Sequence, residues 1–155
     1  MDFEKYSERS RGFLQSAQGL ALRRGHQRLA PEHLLKVLID DKEGLASNLI
    51  QAAGGDAQKA LGAVEAALDR LPRVEGSGAG QIYLSPELAR VFEQAEKLAE
   101  KAGDSFVTVE RLLMALAMDG QSPAGKALVD AGATPQALNR AVEAMRKGRT
   151  ADSSN

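Results

Sequence analysis

Leucine and alanine return at every third or fourth position through most of this chain, and they do so in two matching stretches. From Ser85 onward, Leu88, Val91, Phe92, Ala95, Leu98 and Ala99 fall on one face of a 3.6-residue period, which predicts a helix. Ser85 and Pro86 suit its start: a hydroxyl to cap free N–H groups, then a proline where a missing N–H costs nothing. Gly103 suits its end, as a left-handed stop. Thr108 is expected to cap a second helix bearing Leu112, Leu113 and Leu116. Ser122-Pro123 opens a short third helix that ends at Gly132. Thr134-Pro135 opens a fourth, carrying Leu138, Ala141, Val142 and Met145 and running to Gly148.

The earlier stretch follows the same plan. Its helices are expected at about 4–24, 31–40, 45–53 and 56–71, with Pro31 at a first helical position and Gly25 and Gly54 as stops. No period-2 run is long enough to predict a strand. Shifting the chain by 78 positions aligns residues 7–71 with 85–149 without a gap, and 18 of those 65 pairs are identical. They include Gly25/Gly103, Glu32/Glu110, Leu34/Leu112, Leu35/Leu113, Leu38/Leu116 and Asp41/Asp119. A gapless match of this length implies a duplicated structural unit. The expected fold is all-α: eight helices in two four-helix repeats related by a pseudo-twofold axis.

One domain is expected over residues 1–149, with repeat one at about 4–71, a linker at 72–84 and repeat two at 85–149. Pro72 ends the fourth helix, and Gly76, Gly78 and Gly80 give the linker a flexible composition. Residues 150–155, small and polar, read as the start of an interdomain linker.

Composition narrows the function. The sequence is 43% hydrophobic, enough for a core without staples, and it has no cysteine, which removes disulfides, thiol catalysis and thiolate-bound metals. A net charge of -1 offers no basic face for nucleic acid. The N-terminus is too charged for a signal peptide, and no apolar run approaches the roughly 18 residues of a membrane span. A soluble, cytoplasmic protein is the expectation, with no nucleic-acid or membrane partner.

Catalytic chemistry finds no constellation. GSGAG, residues 76–80, lacks the preceding strand and following Lys-Ser/Thr of a phosphate loop. His26 and His33 stand seven apart with no third metal ligand. His33 reads as a surface or half-buried structural residue, and His26 as a cation at a helix C-terminus. Ser7 and Ser85 read as caps. Glu32 and Glu110 complement helix dipoles. The acidic run at residues 40–43 reads as a solvated turn. What remains is a crevice between two bundles, flanked by first helices that carry Phe3, Tyr6, Phe13 and Leu14 in one repeat and Leu88, Val91, Phe92 and Leu98 in the other.

The doubled repeat, LAPEHLL, RLPRVEGSG, GDSFVTVERLL and AGATPQALNRAVEAMRKG together resemble the amino-terminal domain of the Hsp100/Clp unfoldases, over residues 1–149. LPRVEGSG is most similar to the disaggregating branch of that family rather than the protease-coupled one. The resemblance implies a non-catalytic domain that engages unfolded or aggregated client proteins. In the full-length protein it would sit ahead of AAA+ ATPase modules, in a hexamer that works with the DnaK chaperone system. No GxxxxGK[ST] occurs here, so no cofactor is expected in this chain; ATP belongs to the absent modules. An isolated domain is expected to be a monomer. The resemblance carries substrate handling onto Ser7, Asp104 and Glu110, with Ser7 replacing the usual threonine and Ser105 the usual asparagine after the acid. Phe3, Tyr6, Leu88 and Phe92 are the expected apolar contacts. Asp104 and Glu110 would form an acidic rim favouring basic clients. An adaptor-docking domain or a mobile regulatory cap is the competing expectation.

Overall fold

Five of the eight described helices begin at a side chain that satisfies a free N–H group. The computed structural model describes residues 2–74 and 80–154. In α1 (Glu8–Arg23) the Ser7 side chain accepts from the Ser10 N–H, and in α5 (Pro86–Lys101) Ser85 accepts from Leu88. Asp56 caps α4 (Ala57–Asp69), Ser122 caps α7 (Pro123–Asp130) and Thr134 caps α8 (Pro135–Arg146) in the same way. The remaining helices are α2 (Pro31–Asp40), α3 (Leu45–Ala52) and α6 (Val109–Met118), making eight α-helices among the described residues. The 78-residue offset maps α1 onto α5, α2 onto α6 and α3 onto α7 at both ends, and α4 onto α8 to within one residue.

Three details depart from expectation. The first helix starts at Glu8, not at about residue 4: residues Phe3–Lys5 make one 3-10 turn, and Tyr6 stays extended. Thr108 precedes α6 but makes no side-chain cap. Two short strands exist, β1 (Arg28–Leu29) and β2 (Tyr83–Leu84), paired in parallel. Two residues are too few to leave a period-2 signature. The glycine-rich linker falls partly on residues 75–79, outside the described residues; before it, the Val74 N–H donates to the Gly25 carbonyl at 2.7 Å.

The repeats interlock reciprocally. Leu29 of repeat one pairs with Leu84, while Val107 of repeat two pairs with Tyr6. These are the same contact written twice, since Leu29 and Val107 are repeat-equivalent, as are Tyr6 and Leu84. Accordingly, the Ser7 N–H donates to Val107 O and the Ser85 N–H to Leu29 O, both at 3.0 Å. Helix α4 packs on α7 and α8 on α3. Contacts in which i meets j and the equivalent of j meets the equivalent of i are those of a twofold interface. Between the halves lie Leu34, Leu35 and Leu38 of α2 and Leu112, Leu113 and Leu116 of α6, all fully buried. Helix α6 buries every residue from Val109 to Ala117.

The third-to-fourth helix corners meet backbone to backbone. Asp56 N–H donates to Ala131 O at 2.8 Å, and a Cβ on Gly55 would lie 3.0 Å from that carbonyl. The α6–α7 corner is tighter still: a Cβ on Gly125 would stand 1.9 Å from Asp119 O. The repeat-equivalent Ser47 fits a side chain there, its hydroxyl donating to Ile39 O at 3.1 Å.

Gly125→Ala is therefore expected to destabilise the protein by about 1–3 kcal/mol, because only backbone can move aside. Gly12→Ala, at an exposed α1 position with nothing within 4 Å, is expected to gain about 0.5–1 kcal/mol by restricting the unfolded chain. Urea denaturation of both variants checks the contrast; a Gly125→Ala protein as stable as wild type would contradict the close approach.

Candidate functional site

The interlock leaves a groove where α1 faces the β2–α5 junction. Its volume is about 500 Å³, and its apolar lining is Phe3, Leu14, Leu29, Ile82, Leu84 and Phe92. Leu14 and Phe92 are repeat-equivalent, so the groove lies across the seam. Its polar wall is the outward face of α1, with Arg11, Gln15 and Gln18 one helical turn apart.

The floor is held by aromatic packing. Phe92 is buried and meets Tyr6 edge-on at 6.0 Å and Phe3 edge-on at 6.0 Å. Tyr6 is fully buried, and its hydroxyl donates to Glu96 Oε2 at 2.6 Å. Burial first, and the Glu96 carboxylate second, push the phenol well above its ordinary pKa, so it stays a neutral donor. The rim is different: Phe3 and Leu84 are each 43% exposed, with Tyr83 beside them at 56%. Large apolar side chains thus stand in water around an apolar floor.

A second cluster sits between the α5–α6 loop and α8. Asp104 has no exposed side-chain surface. Its Oδ2 accepts from Arg111 Nε at 3.0 Å and its Oδ1 from Arg146 Nη1 at 2.5 Å. Arg146 also donates to Glu110 Oε2 from Nε at 3.1 Å and Nη2 at 2.9 Å, and to Thr108 Oγ1 at 2.9 Å. Burial opposes the charge on Asp104, but Arg146, the Ala151 N–H and Arg111 outweigh it and hold the carboxyl below its usual range.

The equivalent positions in repeat one carry different chemistry. His26, His33 and Leu68 replace Asp104, Arg111 and Arg146. The His26 Nδ1···His33 Nε2 contact, 2.8 Å, stands where the Asp104–Arg111 ion pair stands in repeat two. The Ala30 N–H donates to His33 Nδ1 at 3.0 Å, so the His33 proton sits on Nε2 and points at a bare His26 Nδ1. Both rings are buried, and burial is the first cause lowering both pKa values; His26 and Arg24 add to it for His33, Arg24 and Arg73 for His26. His33 falls to about 4. His26 is thus a neutral buried acceptor and not the helix-end cation expected from its position after α1, and His33 is fully buried, not half-buried. Glu32, equivalent to Glu110, is raised by its burial.

Of the expected site residues, the structure brings Phe3 and Phe92 together in the groove, with Tyr6 packed beneath. Leu88 is fully buried and has no surface to offer. Ser7 is a buried cap whose Oγ donates to Ser10 Oγ at 3.0 Å. Asp104 and Glu110 share Arg146 and do not line the groove. They are not an open acidic rim, because each is already neutralised by a guanidinium. Sequence reasoning missed Ile82 and Leu84; their alternation in QIYL was the one available signal, and it is too short to stand out. Among the described residues no helix is long and apolar enough to cross a membrane, and no group of three or more His, Cys, Asp or Glu could hold a metal ion.

A family model described as the Clp repeat (R) N-terminal domain matches residues 5–131. Over 153 residues, 99% of the chain, the sequence is 63% identical to the chaperone protein ClpB of Rhodopseudomonas palustris. Over 155 residues it is 58% identical to the chaperone protein ClpB of Mesorhizobium japonicum. The chain spans 17% and 18% of the length of these two relatives. The crystal structure of the Hsp104 N-terminal domain from Candida albicans superposes with a TM-score of 0.83, covering 97% of each chain at 20% identity, a likeness of fold.

The histidine pair makes stability depend on acid. His33 takes up a proton near 6.5 when unfolded but only near 4 when folded, so over that window the unfolded state binds more protons. Stability from this source is complete above pH 6.5 and falls as pH drops towards 4, by up to about 3 kcal/mol. His33→Gln keeps an acceptor for Ala30 and a donor for His26 but does not titrate. Its denaturation midpoint is expected to vary less between pH 7 and 4 than that of wild type; parallel pH profiles would show that the pair does not report acid.

Proposed function

The chain belongs to the Clp repeat N-terminal domain family, and we propose that it is the client-engaging domain of a ClpB-type chaperone, one that takes exposed apolar segments of unfolded or aggregated proteins into the seam groove. The observation that carries this is the exposed pair Phe3 and Leu84 over a floor of Leu14, Leu29 and Phe92. Each client methylene buried there contributes about 0.8 kcal/mol, while ordering a disordered segment takes back much of the sum. Binding is accordingly weak and tolerant of sequence, which suits a domain that passes its client onward.

The domain itself performs no chemistry in this reading. ATP hydrolysis, the hexamer and cooperation with DnaK belong to the longer protein, in the cytoplasm. Client charge preference differs from the acidic-rim expectation. Among the described residues that line the groove Arg11 is the one that is charged, so neutral or acidic apolar segments fit better there than basic ones.

Titrating the isotope-labelled protein with a permanently unfolded client, and following amide shifts, tests this directly. Shifts are expected around Phe3, Leu14, Leu84 and Phe92. Leu84→Asp, at an exposed position, is expected to weaken binding tenfold or more while leaving the fold intact. Shifts confined to other faces, or tight binding only by a folded adaptor, would overturn the assignment.

A further inference from the structure

Beyond α8 the chain turns back over the fold. Lys147 adopts φ 51°, and the segment that follows runs across the α5–α6 loop. There the Ser105 N–H donates to Ala151 O at 2.8 Å and the Ala151 N–H to Asp104 Oδ1 at 2.9 Å. Farther along, the Glu8 N–H, the first of α1, donates to Ser154 O at 2.6 Å.

Repeat one treats its own exit segment the same way. After α4 the Val74 N–H bonds Gly25 O at 2.7 Å, on the loop equivalent to the one Ala151 crosses. That segment is tethered at both ends, because it must reach β2. This is where the repeats diverge: His26 and Leu68 give way to Asp104 and Arg146, so that one carboxylate oxygen takes both the guanidinium and the segment's N–H. Repeat one holds its exit segment on this loop by main chain alone, and repeat two adds the Asp104 carboxylate.

We propose that residues 150–154 are a strap, and that Asp104 with Arg146 is the clasp that seats it across the seam onto the N-terminus of α1. Glu110 acts through Arg146, whose guanidinium it orients. On this assignment Asp104 and Glu110 govern where the strap lies; they are positioning residues and do not touch the client. The strap crosses from repeat two to repeat one, so its release frees the first turn of α1, at Glu8, and leaves the helix core untouched.

Amide exchange measured by NMR on the whole chain reads the strap without any client. The Ser105, Ala151 and Glu8 amides are expected to exchange at least tenfold more slowly than in an unstructured peptide. Ala151→Pro removes the strap's donor to Asp104 and also fixes φ at that position and restricts Thr150 before it. It is expected to raise Glu8 exchange tenfold or more while the amides of Leu35 and Leu113 keep their rates. Asp104→Ala should do the same where the variant folds; Ala151→Pro decides the matter where it does not. Unprotected Ala151 and Glu8 amides in wild type, or Glu8 protection unchanged in Ala151→Pro, would overturn the strap. Neither result bears on the seam groove, whose own test is the client titration.

Discussion

Two main-chain crossings, Leu29 with Leu84 and Tyr6 with Val107, tie each repeat to the other at equivalent places. Neither repeat closes its own sheet edge. Leu34, Leu35 and Leu38 are fully buried on α2, which packs on α1 and α4 of its own repeat and on α5, α6 and α7 of the other. Separate four-helix units would expose that surface, and the lost burial could not be recovered within roughly 70 residues. Duplication here makes one core, shared across a seam, instead of two cores in series.

A seam of this kind is symmetric where it carries the fold and asymmetric where it carries anything else. The caps Ser7 and Ser85, the paired crossings and the leucine triplets are nearly identical in both halves. The loops between first and second helices are not. In repeat one the loop's His26 pairs with His33 of α2, both neutral; in repeat two the loop's Asp104 meets Arg111 of α6 and Arg146 of α8, which also holds Glu110 of α6. The geometry is the same, 2.8 Å and 3.0 Å across residues seven apart, yet one site sheds protons and the other fixes charge. Burial pushes histidines towards neutrality, whereas it strengthens a carboxylate–guanidinium pair only if every remaining acceptor is satisfied, as those of Asp104 are.

The groove arises from the same asymmetry. Phe3 and Gln81 are repeat-equivalent, as are Tyr6 and Leu84. On one side of the seam Tyr6 turns inward to Glu96; on the other Leu84 stays outward beside Phe3. One edge is therefore sealed and the other left open and apolar.

The repeat, the eight helices, the hydroxyl caps Ser7, Ser85, Ser122 and Thr134 and the leucine core were legible in the chain, because helix periodicity and capping are local and the offset of 78 residues repeats much of them. Membership of the Clp family was legible too, carried by words spread over residues 1–149. The strands were not, since two residues pairing across more than fifty others leave no local pattern. Nor was the fate of the charged residues. Asp104 and Glu110 looked like an exposed acidic edge, and whether a carboxylate faces water or a guanidinium depends on Arg146, 42 and 36 residues away. His26 looked like a helix-end cation and became a buried acceptor because His33 stands over it. Local backbone preference is written residue by residue; burial and charge partnership are properties of the folded neighbourhood, and only the tertiary structure assembles it.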